Sequence, residues 1–134
     1  MSVFLDTNVI LYLFSGDKEK ADRAEERTAA GAVVSVQVLN EFVAVARRKL
    51  GMSWDEVAEA VTVIQQVCAV EPLTVETHNA ALLLAAKHRL AWYDALIVSA
   101  ALSAGCTTLY SEDMHDSQRI GGTLTVRNPF RALR

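Results

Sequence analysis

Val3-Phe4-Leu5-Asp6-Thr7-Asn8-Val9-Ile10 is the stretch that decides how the rest of the chain is read. Val3-Phe4-Leu5 is a short apolar run of β-prone residues. Val9 to Phe14 is an apolar segment of helical character, with Asp6 or Thr7 as its cap. A strand that runs straight into a helix is half of a βαβ unit, and it puts Asp6 at the carboxyl end of the strand. In open α/β sheets ligands bind at that end. An aspartate in this place also serves as a plain helix N-cap, worth roughly 1 kcal/mol. Asp6 alone therefore does not separate a site from a cap.

The same alternation continues down the chain. Ser15-Gly16-Asp17 ends the first helix, and Asp17 to Ala30 is a helix of mixed charge expected to face solvent. Ala32 to Val36 is a second apolar strand. Gln37 to Leu50 is an amphipathic helix with Val38, Phe42, Ala46 and Leu50 at fourfold spacing, closed by Gly51. Ser53-Trp54-Asp55-Glu56 is a capping box opening a helix to about Cys68. Ala69 to Leu73 is a third strand whose Pro72 suits an edge or a strand end. Thr74 caps a helix to His88, and Tyr93 to Ala104 is the most apolar helix, closed by Gly105. Thr107 to Tyr110 is a fourth strand, and Leu124 to Arg127 a possible fifth after a polar loop. Strands alternating with helices predict a three-layer α/β/α sandwich around a mostly parallel sheet of four to five strands.

Composition narrows the class. The 134 residues fit one domain, 1–134, and 51% apolar against 22% charged residues describe a globular chain. The charge-free run Ala95 to Ser111 is too short and too polar for a membrane span, so it is expected to be a buried helix and strand. Nothing before Val3 resembles a leader, and Cys68 and Cys106 form no spaced pair. A reducing cytoplasm is the expected location. The formal net charge of −3 argues against a protein that binds nucleic acid by bulk phosphate neutralisation. Handling of nucleic acid would need local basic patches or metal ions.

Three further acids occupy places that a core does not easily explain. Glu41 stands at the margin of a buried helical stripe, with Ala44 and Val45 as its i+3 and i+4 neighbours, so no ion pair along the helix accounts for it. Asp94 falls in the first turn of the most apolar helix, with Ile97, Val98 and Ala101 on its face, where a carboxylate is costly unless something offsets its desolvation. Asp113 follows the fourth strand in Ser111-Glu112-Asp113-Met114-His115-Asp116; three acids in five residues there also suit simple solubility. In a parallel sheet Asp6, Glu41, Asp94 and Asp113 can converge on one side. Four like charges in one cleft repel, and the arrangement makes sense chiefly around divalent cations. Hard oxygen ligands suit Mg²⁺ or Mn²⁺, which activate water for phosphodiester hydrolysis.

Val3 to Asn8, the isolated Glu41, Tyr93-Asp94-Ala95-Leu96-Ile97 and Leu109 to Met114, with Asn128-Pro129-Phe130 at the end, together resemble the PIN-domain family. Within it the chain is similar to VapC-type toxins of bacterial toxin–antitoxin pairs. The resemblance implies a PIN-like fold and a metal-dependent endoribonuclease, a dimer inhibited by a cognate antitoxin, cutting structured RNA such as tRNA or rRNA. Asp6, Glu41, Asp94 and Asp113 would be its catalytic, metal-holding acids, with Asp116 a rival to Asp113 in a loop that varies in the family. Thr7, Asn8 and Ser111 would be nearby polar groups, Ser111 being the small hydroxyl beside the site.

The remaining candidates point elsewhere. His78, His88 and His115 show no metal-ligand spacing and read as surface or helix-end residues; Cys68 and Cys106 read as core. Trp54 and Trp92 read as packing anchors, Trp92 next to the site where a base could stack on it. Arg47-Arg48-Lys49 ends the helix that carries Glu41 and could guide a phosphate backbone. A rival class is a non-catalytic interaction domain that uses the cleft for an arginine-bearing partner, which loss of an acid would favour. A phosphatase or receiver-like domain is opposed by the lack of a second aspartate close after Asp6, and no glycine-rich phosphate loop is present.

Overall fold

The computed structural model describes residues 2–131. Its centre is β1 (Val3–Leu5), whose Phe4 and Leu5 are fully buried. A strand covered on both faces needs an apolar run without alternation, and this one leads directly into α1 (Thr7–Leu13). Next come α2 (Lys18–Ala29), β2 (Ala32–Ser35), α3 (Val36–Arg48), α4 (Trp54–Val67), β3 (Cys68–Glu71), α5 (Val75–His88) and α6 (Trp92–Ser103). β4 (Thr108–Tyr110), β5 (Arg119–Ile120) and β6 (Leu124–Arg127) complete the order. The result is a three-layer α/β/α fold.

The sheet runs β3-β2-β1-β4-β6-β5. Neighbours are parallel throughout except β5, which pairs antiparallel with β6 at the edge. From β1 the chain moves outward to β2 and β3, then returns to lay β4 on the other side of β1. The strand order therefore reverses between β1 and β4. A crevice opens at such a reversal because the connections leave in opposite directions. The Asp6 amide donates to Tyr110 O at 2.9 Å and keeps β1 and β4 together up to the crevice's floor.

Several boundaries differ from the expected ones for definite reasons. Ser35, not Val36, ends β2, because the Ser35 hydroxyl accepts from the Val38 amide at 3.2 Å and starts α3 one residue earlier. The sheet has six strands instead of four or five. β5 lies inside the expected polar loop, returned onto β6 by Gly121 and Gly122, both at positive φ (64° and 77°). The helix α2 is not wholly solvent-facing: Ala24 and Thr28 are buried on its inner side. Trp54 is 62% exposed and lies under the Arg47 guanidinium, so it anchors no core. Trp92 packs against Ala81, Ala95 and Leu96 as expected. The run from Ala95 to Ala101 is buried, and both cysteines are buried and free. No described helix is long and apolar enough to cross a membrane.

Candidate active site

At the carboxyl ends of β1 and β4 lies a cleft of about 220 Å³ whose lining includes Asp6, Thr7, Asn8, Glu41, Lys49, Asp94 and Asp113. Each acid arrives by a different local route. Asp6 is the N-cap of α1: its Oδ1 accepts from the Thr7 amide at 2.7 Å. Its other oxygen, Oδ2, accepts from the Ser111 hydroxyl at 2.7 Å and from Asn8 Nδ2 at 3.3 Å. The cap and the site are thus the same carboxylate, one oxygen for each. Glu41 is carried in by α3, and Asp94 by the first turn of α6, which has no side-chain cap. Asp113 is placed by the turn after β4, where the amides of Asp113 and Met114 both donate to Ser111 Oγ.

Electrostatics follow from burial. Desolvation is the largest influence on Asp6, which is 4% exposed, and raises its pKa from 3.8 to about 7. The hydrogen bonds from Ser111 and Thr7 oppose the rise; the charges of Asp94 and Glu41 add to it. Glu41 is also raised, by desolvation first and then by Asp94, against the bond it accepts from Gln37 Nε2 at 3.0 Å. Asp94 is raised by desolvation and by the charge of Asp113. Mutual repulsion of the acids, expected from the sequence, is present but second to burial. Thr7 Oγ1 is buried beside Glu41 and completes no hydrogen bond of ordinary geometry.

Asp116 points elsewhere. It accepts from the Asn128 amide at 2.8 Å and pairs with Arg131, which together hold its pKa below the usual range. Of Arg47-Arg48-Lys49, Lys49 lines the cleft, whereas Arg47 is engaged with Trp54 and Met52 O. A second hollow of about 470 Å³ shares Asp94 and Asp113 and adds Arg89, Met114 and His115. His78 is exposed and packs edge-on to Trp92. Larger hollows, of about 580 and 550 Å³, lie on other faces with mainly apolar linings and one carboxylate each. Asp6, Glu41, Asp94 and Asp113 line the smaller cleft together.

The oxygen donors lining this cleft are four carboxylates, the Thr7 hydroxyl and the Asn8 amide, beside the Lys49 ammonium and with no thiol or imidazole. Such groups fit a hard cation. Among the described residues no three His, Cys, Asp or Glu side chains stand close enough to form a ready-made metal cage. A spread ring of acids is compatible with Mg²⁺, which keeps several waters and takes one or two carboxylates together with substrate phosphate.

One participant was not anticipated, and another makes more contacts than expected. Gln37 sits one turn before Glu41, and the i, i+4 spacing carried that signal toward the N-terminus of the helix. Asn8 is a hub, not just a nearby polar group: its Nδ2 reaches Asp6, Ser111 and Asp113 Oδ2 (3.2 Å), and its Oδ1 accepts from the Glu112 amide. Nothing in one sequence shows that contact across 104 residues.

The PIN domain family model matches residues 3–119. The chain belongs to the PIN-domain family. No curated protein matched it in sequence. Among solved structures, this PIN domain is similar to VapBC-1 of nontypeable Haemophilus influenzae, at 20% identity and TM-score 0.72 over 98% of this chain and 100% of that one. A toxin–antitoxin complex from Klebsiella pneumoniae shares 19% identity at TM-score 0.72, covering 95% and 97% of the two chains. The sarcin–ricin-loop-cleaving toxin VapC20 of Mycobacterium tuberculosis shares 20% identity at TM-score 0.69, covering 83% and 89%. At these identities the likeness establishes the shared fold.

Proposed function

We propose that this PIN domain, spanning 1–134, is a Mg²⁺- or Mn²⁺-dependent endoribonuclease and the toxin of a two-protein module acting in the cytoplasm. The observation that carries the reading is the crevice at the β1/β4 reversal, lined by Asp6, Glu41, Asp94 and Asp113, with Asp6 buried. A fold tolerates such a cluster when a cation offsets it. Family membership supports nuclease chemistry, and the toxins among its structural neighbours support the toxin assignment.

In this reading Asp6, Glu41, Asp94 and Asp113 hold the cation. When bound, it supplies a water activated near neutral pH and positive charge for the scissile phosphate. Ser111 and Asn8 hold Oδ2 of Asp6, the oxygen not used in capping α1. Gln37 orients Glu41. Lys49 at the rim attracts the phosphate backbone, which a protein of net charge −3 must do locally. Asp116, committed to Asn128 and Arg131, takes no part. An antitoxin and a second copy of the chain are the expected protein partners.

The test is to sequence RNA ends after brief expression of wild type and of Asp6→Asn. Discrete new 5′ ends in structured RNA, present for wild type and absent for the variant, are expected. Identical end profiles would leave the interaction-domain reading in its place.

A further inference from the structure

Glu112 lies between the two groups that build the cleft, Ser111 and Asp113, yet it turns away from them. Its Oε1 accepts from the Tyr12 hydroxyl at 2.8 Å, and its Oε2 from Lys20 Nζ at 2.5 Å. Lys20 Nζ also donates to the Tyr12 hydroxyl at 3.0 Å and stands 4.7 Å from the Tyr12 ring centroid and 5.4 Å from that of Phe130. The two rings meet edge to face at 4.8 Å. The Lys20 and Glu112 side chains are 28% and 25% exposed, so the pair is largely shielded from water. An exposed ion pair on a charged helix contributes little; this one is enclosed, shared by three polar groups, and joins α1 and α2 to the turn after β4.

The same residue is gripped from its other side. The Glu112 amide donates to Asn8 Oδ1 at 3.0 Å, and Asn8 Nδ2 reaches Asp6 and Asp113. Glu112 therefore has its side chain fixed by α1 and α2 and its backbone fixed by the residue next to the β1 carboxylate. Its chain neighbour Asp113 is exposed, and Asn8 Nδ2 is the partner of its carboxylate among the described residues. The turn that carries Asp113 is thus held at two points: at Ser111, whose hydroxyl accepts from the Asp113 and Met114 amides, and at Glu112, held by its side chain and its backbone.

We propose that Lys20 and Tyr12 are positioning residues for the cleft: by holding Glu112 they keep the Ser111–Met114 turn where Asp113 faces Asp94. Glu112 is thereby a clasp residue and not a fifth metal-holding acid. The inference rests on the metal-dependent reading above. Groups that orient metal-holding side chains change affinity or activity by roughly 10–100-fold when removed.

The test uses the full chain as wild type, Lys20→Met, Tyr12→Phe, Glu112→Gln, the double variant Lys20→Met/Glu112→Gln, and the swap Lys20→Glu/Glu112→Lys. Calorimetric Mn²⁺ affinity, and kcat and KM on a fluorescent oligoribonucleotide, are the readouts, with melting temperature recorded alongside. Lys20→Met and Glu112→Gln should each weaken Mn²⁺ binding and lower kcat by roughly 10-fold, with KM for RNA within about twofold of wild type. The double variant should be no worse than either single one, and the swap should recover most of the loss. Tyr12→Phe, which keeps the ring, should show a smaller effect of the same sign. Unchanged Mn²⁺ affinity in folded Lys20→Met and Glu112→Gln overturns the proposal, as does a double variant whose loss is the sum of the singles. If wild type cuts no RNA, the nuclease reading falls while the Mn²⁺ series still decides the clasp.

Discussion

Asp6 spends one oxygen on the helix it caps and offers the other to the cleft, and that division has a consequence in pH. Its folded-state pKa of about 7 exceeds the unfolded value of 3.8 because burial disfavours the charged form. Below about pH 4 both states are protonated and the contribution to stability is fully present. As pH rises from there through 7 the metal-free fold loses it, up to about 4 kcal/mol if the whole shift is realised. Melting of wild type and Asp6→Asn in EDTA at pH 5 and pH 8 checks this: wild type should fall relative to the variant at the higher pH. A pH-independent difference between them would contradict it. Asp94 gives a second residue-scale expectation. It accepts no hydrogen bond among the described residues, so its cost is desolvation and the charge of Asp113, offset by roughly 0.3–1 kcal/mol from the N-terminus of α6. In EDTA at neutral pH, Asp94→Asn should melt close to or above wild type, and Mg²⁺ should then stabilise wild type more. A variant melting well below wild type in EDTA would make Asp94 a structural residue.

At the scale of elements, α5 ends on an unusual residue. Arg89 occupies the left-handed C-cap position (φ 54°, ψ 46°), its amide donating to Ala85 O. Glycine is the usual occupant, since a side chain costs roughly 1–2 kcal/mol there. Arg89→Gly recovers that, less the roughly 0.5–1 kcal/mol of extra chain entropy glycine loses, so its melting temperature should rise by about 2–4 °C. A fall would mean that the arginine side chain contributes more than its backbone costs. The elements also show what a single sequence can carry. Asp6, Ser53 and Thr74 announced α1, α4 and α5 because capping chemistry is local, and the Ser53/Glu56 box is present in full. Ser35 was overlooked as a cap because Val36 beside it favours a strand. β5 escaped notice because a two-residue strand has no periodicity, although Gly121-Gly122 marked its turn. That four acids share one cleft was legible from the strand ends for Asp6 and Asp113, from the first turn of α6 for Asp94, and from the margin of the buried stripe of α3 for Glu41. The orientation of Asp116 and the grip of Lys20 on Glu112 were not, since each depends on residues brought together only by the finished fold.

At the scale of the whole molecule, the strand order that sets β1 between β2 and β4 opens a crevice at Asp6. A cleft of carboxylates that attracts a cation attracts a guanidinium as well. The antitoxin expected beside this protein should therefore insert an arginine among Asp6, Glu41, Asp94 and Asp113, and the purified complex should regain activity when that arginine becomes alanine. Equal antitoxin binding to a chain lacking all four acids would refute this mode of inhibition. The measurement that reaches furthest is the initial rate of cleavage of a structured RNA by purified protein, titrated with Mn²⁺ and then with excess EDTA, for wild type, Asp113→Asn and Asp116→Asn. Wild type should cut only with metal. Asp113→Asn should lose more than the roughly 10–100-fold expected for a supporting group, and Asp116→Asn should stay within a few-fold of wild type. Cleavage that persists in excess chelator, or an Asp113→Asn protein as active as wild type, would contradict the metal-dependent site described above.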